Sequence, residues 1–218
     1  MKAVCAVLCA LLYVCRAAPL TCDQLTSPGQ VQDLTGTWFV HAMSTDSCVL
    51  RNSVQTLLSP SLIMDITEDT QQYQAVLMIK TLSICENETL ATLTPQRGML
   101  VAQNGRDTYK LFRLTNSSDC VVFKMEMQFA NTTVLYFSSR RKSVEPAEIL
   151  EFETQASCLH LPRPERLGSD FDFSSCREYE ETELTEAEAA VLLQRLRAWA
   201  VEVTKCLMDY MLRWYKFS

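Results

Sequence analysis

The chain has 218 residues, 48% of them apolar and 21% charged, with only 5 Gly and 7 Pro. That is enough for one core, too little for two domains of typical size, and unlike collagen or a disordered chain. Acidic residues outnumber basic ones 26 to 20 with no Lys/Arg-rich patch, which argues against a nucleic-acid backbone as partner, and 2 His exclude a His-rich metal site.

Met1-Lys2, an apolar run from Ala3 to Val14 and then Cys15-Arg16-Ala17 read as a secretory signal peptide cut after Ala17. The run is too short to span a bilayer, and no later segment reaches ~18 uncharged residues. The expectation is a secreted, extracellular and soluble protein whose formal charge falls from −6 to −8 with the loss of Lys2 and Arg16. Export places the cysteines in an oxidising compartment. Cys5, Cys9 and Cys15 leave with the leader, so Cys22, Cys48, Cys85, Cys120, Cys158, Cys176 and Cys206 remain, an odd number with no CxxC among them. The sequons at Asn87, Asn116 and Asn131 are candidate glycosylation sites and suit the same compartment.

From Gly36 to Ser139 short runs rich in Val, Ile, Leu, Phe, Tyr and Thr alternate with turn-forming clusters. They predict strands at 36–44, 54–66, 73–84, 88–94, 98–103, 108–115, 120–129 and 132–139. Asn104-Gly105 is the sharpest hairpin signal, since both residues tolerate positive φ. The clearest alternation sets Val121, Phe123, Met125, Met127 and Phe129 against Val122, Lys124, Glu126 and Gln128, the period of a half-buried antiparallel strand. Eight sequential strands without intervening helices predict a mainly β fold, an up-and-down antiparallel barrel, because closing the sheet removes both edges. A barrel of this size has room for side chains and one small ligand.

After Lys142 the pattern turns helical. Residues 145–152 form a short helix with Pro146 in its first turn, residues 159–182 are irregular, and Thr185 with Glu188 makes a capping box for a helix running to about Lys216. Leu192, Leu196, Trp199, Val203, Leu207, Tyr210 and Trp214 form its apolar stripe. The chain thus divides into the leader (1–17), a barrel domain (18–177) and an acidic segment with a C-terminal helix (178–218). The run Glu178, Glu180, Glu181, Glu183 reads as a solvated face, and His41 and His160 as surface or capping residues.

Leu34-Thr35-Gly36-Thr37-Trp38-Phe39 opens the first strand, and Gly-x-Trp at the start of an eight-strand meander resembles the lipocalin family. In that family the tryptophan closes the narrow end of the barrel beneath an arginine from the end of the last strand. The resemblance therefore assigns closure to Gly36 and Trp38 with Arg140 or Arg141. Cys22-Asp23-Gln24-Leu25, Ser157-Cys158-Leu159, Cys85 before Asn87, and Cys176 look like acid glycoprotein (orosomucoid), apolipoprotein M and the fish saxitoxin- and tetrodotoxin-binding proteins. That likeness implies the pairs Cys22–Cys158 and Cys85–Cys176. It covers about residues 20–177 and leaves the C-terminal helix unexplained. Cys120 then pairs elsewhere or stays reduced, with Cys206 as its partner if the long helix folds back under the barrel; in that case Cys48 is left over, and otherwise it is open to a disulfide of its own.

The resemblance implies a carrier of a small hydrophobic or amphiphilic ligand, with Val40, Tyr73, Leu77, Phe112, Phe123, Met125, Met127 and Tyr136 as wall residues. It implies no cofactor, no metal and no enzymatic activity. A free Cys48 is the one candidate nucleophile, by analogy with the prostaglandin isomerase of the family, but its only close base is Arg51. A guanidinium toxin is the alternative ligand. The long helix has three open readings: packing on the barrel, lying on a lipid or lipoprotein surface, or pairing with a partner, including a second copy through Cys206.

Overall fold

The computed structural model describes residues 21–27, 34–96, 99–102, 107–114, 117–128, 131–174, 176–178 and 184–217. The leader, the Asn104-Gly105 turn, Asn116, Phe129 and the acidic run from Glu180 to Glu183 lie outside the described residues. A one-turn helix α1 (Cys22–Leu25), closed by a capping box between Thr21 and Gln24, precedes the sheet. Eight strands follow: β1 (Gly36–Thr45), β2 (Ser61–Asp69), β3 (Gln72–Thr81), β4 (Ile84–Gln96), β5 (Met99–Ala102), β6 (Asp107–Arg113), β7 (Cys120–Met127) and β8 (Thr132–Ser139). Each pairs antiparallel with the next, and β8 pairs with β1, so the sheet closes into a barrel without edges. A register shift between Val40 and Ala42 lets β1 serve β2 with its first half and β8 with its second.

The second predicted strand is corrected. The sequence reading begins it at residue 54, but Cys48–Asn52 is helix α2, capped by Ser47, and Ser53–Leu58 continues as a π-helical turn ending on Ser59 with φ 42°. Strand β2 starts only at Ser61. In this segment Val54 packs onto Met43 and Val134, and residues 54–58 are helical and not paired with a neighbouring strand. The predicted strand 73–84 likewise breaks at Leu82 (φ 58°), and β4 starts earlier and ends later than its apolar run.

Helix α3 (Pro146–Cys158) extends one and a half turns beyond its prediction. Pro146 occupies the first turn, and Glu145 and Glu148 form a reciprocal cap. Its Ile149, Phe152 and Ala156 pack on the outer wall against Ala42, Val122, Leu135 and Phe137, with Phe152 stacked on Phe137 at 5.5 Å. Beneath it the Arg141 guanidinium pairs with the buried Glu148 carboxylate, which also accepts from the Glu145 amide at 2.7 Å and the Cys120 thiol at 3.5 Å.

Burial pushes the Glu148 pKa up, but the hydrogen bonds from Glu145, Arg141 and Cys120 outweigh it and hold the carboxyl below its ordinary value. Folding therefore favours the ionised form. The stabilisation is complete above the ordinary glutamate range and is lost as pH falls through the depressed folded-state value. Glu148→Gln is expected to cost about 1–2 kcal/mol at neutral pH, less than the 3–5 of a fully buried pair because Arg141 keeps contact with water. Urea denaturation at stepped pH should show the gap between parent and variant closing in acid; a gap independent of pH contradicts this.

From Leu159 the chain wraps the barrel as a strap. His160 caps α3 with φ 57°, and β9 (Glu165–Arg166) adds to β1. Phe171 packs on Phe39 at 5.0 Å, and Lys80 reaches out to Asp170 at 2.7 Å. A parallel pair, β10 (Arg177–Glu178), ends the strap on β4. His41 is buried under it, between Phe137 and Phe171, which corrects the surface reading. Helix α4 (Glu186–Phe217) completes the described chain at 32 residues, about 48 Å long.

Candidate functional site

The narrow end is built from the Gly36-Thr37-Trp38 segment. The Trp38 indole donates from Nε1 to the Leu34 carbonyl at 2.8 Å, and its edge meets Phe123 at 6.4 Å. The Arg140 guanidinium stacks 4.3 Å from the ring and donates to the Thr35 carbonyl at 2.7 Å. Gly36 is at φ +98°, and a Cβ there would sit 2.9 Å from Arg140 Nη1, so both conformation and space call for glycine. Of the two candidate arginines, Arg140 takes this position; Arg141 turns outward to Glu148.

Above Trp38 the barrel encloses a cavity of about 70 Å³, several times the ~10–15 Å³ that one water needs. Of the residues named as wall candidates, Val40, Tyr73, Leu77, Phe123, Met125 and Tyr136 lie along it. Leu34, Leu62, Met64, Ile66, Ala75, Leu90, Leu93, Leu100 and Tyr109 complete the wall and were not singled out from the sequence. The period of β2 could have found Leu62, Met64 and Ile66; Leu90 is in the wall because the β3–β4 register shifts beside it.

Two wall assignments are corrected. Phe112 pairs with Val122 on the outer face and packs in the layer under α3, not in the cavity. Met127 points inward, but it sits at the wide rim with Met43, Val54 and Val134 and not on the cavity wall.

The connection 46–60 covers that rim. Leu50 and Val54, from α2 and the π-helical turn, pack against Met43, Val134, Met125 and Tyr136. Helix α4 in turn holds this cover. Trp199 Nε1 donates to Ser53 Oγ at 3.0 Å, Arg195 donates to the Leu58 carbonyl at 3.2 Å, and a disulfide joins Cys206 to Cys48. At the start of α4, Glu188 caps Thr185 and accepts from Ser83 and Arg177, and these hydrogen bonds, Ser83 first, hold its pKa at about 2.

The cysteine expectations divide. Cys22–Cys158 and Cys85–Cys176 are joined. The Cys120–Cys206 pairing is corrected to Cys48–Cys206, and Cys120 is the free thiol, buried in the layer under α3. Helix α4 crosses the wide rim, where Cys48 is, while Cys120 begins β7 at the opposite end. Bonded to Cys206, Cys48 has no thiol to act as a nucleophile.

Along α4, Leu192, Trp199 and Val203 of the predicted stripe are half-buried, whereas Leu196 and Leu207 are exposed. Asn87 on β4 and Asn131 in the β7–β8 turn are both solvent-exposed. Among the described residues there is no group of His, Cys, Asp and Glu placed to hold a metal, and no helix long and apolar enough to cross a membrane.

No protein-family profile matches the chain, and no curated protein matches it in sequence. Solved structures do match in shape. The siderocalin Ex-FABP, described as functioning through dual ligand specificities, superposes with a TM-score of 0.53 at 11% identity, over 63% of this chain and 95% of its own. A dog lipocalin allergen superposes with a TM-score of 0.49 at 12% identity, over 65% and 97%. Closed by Trp38 and Arg140 and wound as an eight-stranded antiparallel meander, this chain has the fold of the lipocalin barrel.

Proposed function

We propose that this protein is a secreted, glycosylated carrier that binds a small hydrophobic or amphiphilic ligand inside the barrel. The observation that carries the proposal is the cavity itself: a preformed space lined by aliphatic, thioether and aromatic side chains. Moving apolar ligand surface from water into such a space yields roughly 25 cal/mol per Å². A wall held by three disulfides and a stoppered base is ordered before the ligand arrives, which lowers the cost of binding. The disulfides suit an oxidising compartment, and Asn87 and Asn131 are open to glycosylation, as the sequence-level likeness to acid glycoprotein implies. The described residues of the cavity wall include aromatic rings but no carboxylate to pair with a guanidinium toxin, and most of the lining is aliphatic or thioether, which supports an apolar ligand. Titration of the full chain with N-phenylnaphthylamine, an uncharged fluorescent probe, should show saturable uptake of one molecule per chain. Absence of any fluorescence gain contradicts the proposal.

A second reading concerns α4. Its outward face exposes Leu193 (55%), Leu207 (49%) and Met211 (61%) along one stripe, while the opposite face docks on the rim cover. Such a face suits adsorption to a lipid or lipoprotein surface. Flotation with phosphatidylcholine vesicles is expected to carry the parent and not L193E/L207E/M211E, which leaves the docked face untouched. Equal flotation of both contradicts this reading.

A further inference from the structure

The described wall of the cavity is apolar except for its phenol groups. Tyr109 on β6 and Tyr136 on β8 flank β7, paired in register with Met125 and Phe123, and all four side chains line the cavity. Neither hydroxyl has a hydrogen-bond partner among the described residues. Tyr136 keeps a partly accessible surface and lines the cavity. A phenol on an apolar wall without a protein partner is a donor left for a ligand acceptor to take up.

The chemistry of the missing partner follows from the surrounding charge. Burial, then the charges of Tyr109 and Glu88, pushes the Tyr136 pKa up to about 12, and burial with the charge of Asp107 raises that of Tyr109. Both groups remain O–H donors throughout the physiological range. Among the described wall residues there is no cation to offset the burial of a carboxylate or phosphate head.

Resting on the carrier reading above, we infer that the ligand bears an uncharged acceptor oxygen, a ketone or ester carbonyl, that takes hydrogen bonds from Tyr109 and Tyr136 while its apolar body fills the rest of the cavity. The selection is against fatty-acid anions of the same length.

The test is a calorimetric titration of the full chain at neutral pH with four eight-carbon probes: methyl hexyl ketone, octene, octanoate and octylammonium. The ketone should bind roughly threefold to tenfold more tightly than octene, the worth of about one hydrogen bond. Octanoate should bind more weakly than the ketone. In Y109F/Y136F, which keeps both rings, the ratio of ketone to octene affinity should fall to about one. A ratio unchanged in the variant overturns the inference, as does octanoate or octylammonium binding more tightly than the ketone. Octene binding with no advantage for the ketone overturns this inference alone. Failure of all four probes overturns the carrier reading and the inference with it.

Discussion

Trp38→Ala is expected to lower the free energy of unfolding by about 3–5 kcal/mol, the range for deleting a buried large aromatic side chain. The indole is 4% exposed, so nearly all of its surface is lost from the core. Three further interactions go with it: the bond to the Leu34 carbonyl, the edge contact on Phe123 and the stack under Arg140. Solvent would then reach the floor of the cavity, where Leu34 and Phe123 are wall residues. Urea denaturation should show a lower midpoint with little change in slope. Trp38→Phe should recover part of the loss, since a smaller ring keeps an aromatic face for Arg140. A loss below about 1 kcal/mol for Trp38→Ala would contradict the stopper role.

Ala75→Trp is the corresponding test at the site. Ala75 is 2% exposed and faces the cavity from β3. An indole there projects into the space that the ligand needs. Uptake of N-phenylnaphthylamine is expected to fall at least about tenfold, which corresponds to about 1.4 kcal/mol or more of binding free energy. Overpacking is expected to cost about 1–3 kcal/mol of stability, leaving a folded barrel whose denaturation remains cooperative. Unchanged uptake by the folded variant would place the binding site elsewhere.

The parts of the fold legible in the sequence are those where one physical demand acts alone. Strand β7 is half-wet, so its inward Phe123 and Met125 stand out against Lys124 and Glu126. Gly36 and Trp38 were assigned to closure through the likeness of Gly-x-Trp at the head of a strand meander to the lipocalin family, and the positive φ that calls for glycine is visible only in the fold. Phe112 failed because the end of β6 is covered on both faces: Leu111 lies in the barrel core and Phe112 under α3, so two adjacent apolar residues point opposite ways and a one-residue slip exchanges them. The rim cover failed for a related reason. Val54 and Leu58 continue an apolar run into β2, and periodicity cannot separate a short helical cover from a strand start. The pairing of Cys48 with Cys206 depends on where α4 crosses the barrel, which no local pattern encodes. The phenols divided similarly: Tyr136 was singled out as a wall residue, while Tyr109 was not, and their lack of partners is visible only in three dimensions.

The central claim is that the barrel is a filled vessel in use and not a solid core. Native mass spectrometry of the protein purified from its natural source tests it most directly. The account predicts one bound molecule per chain, shed as a neutral species on gentle activation and recovered by organic extraction. A mass with no bound molecule, nothing extractable and no later uptake of N-phenylnaphthylamine would contradict it.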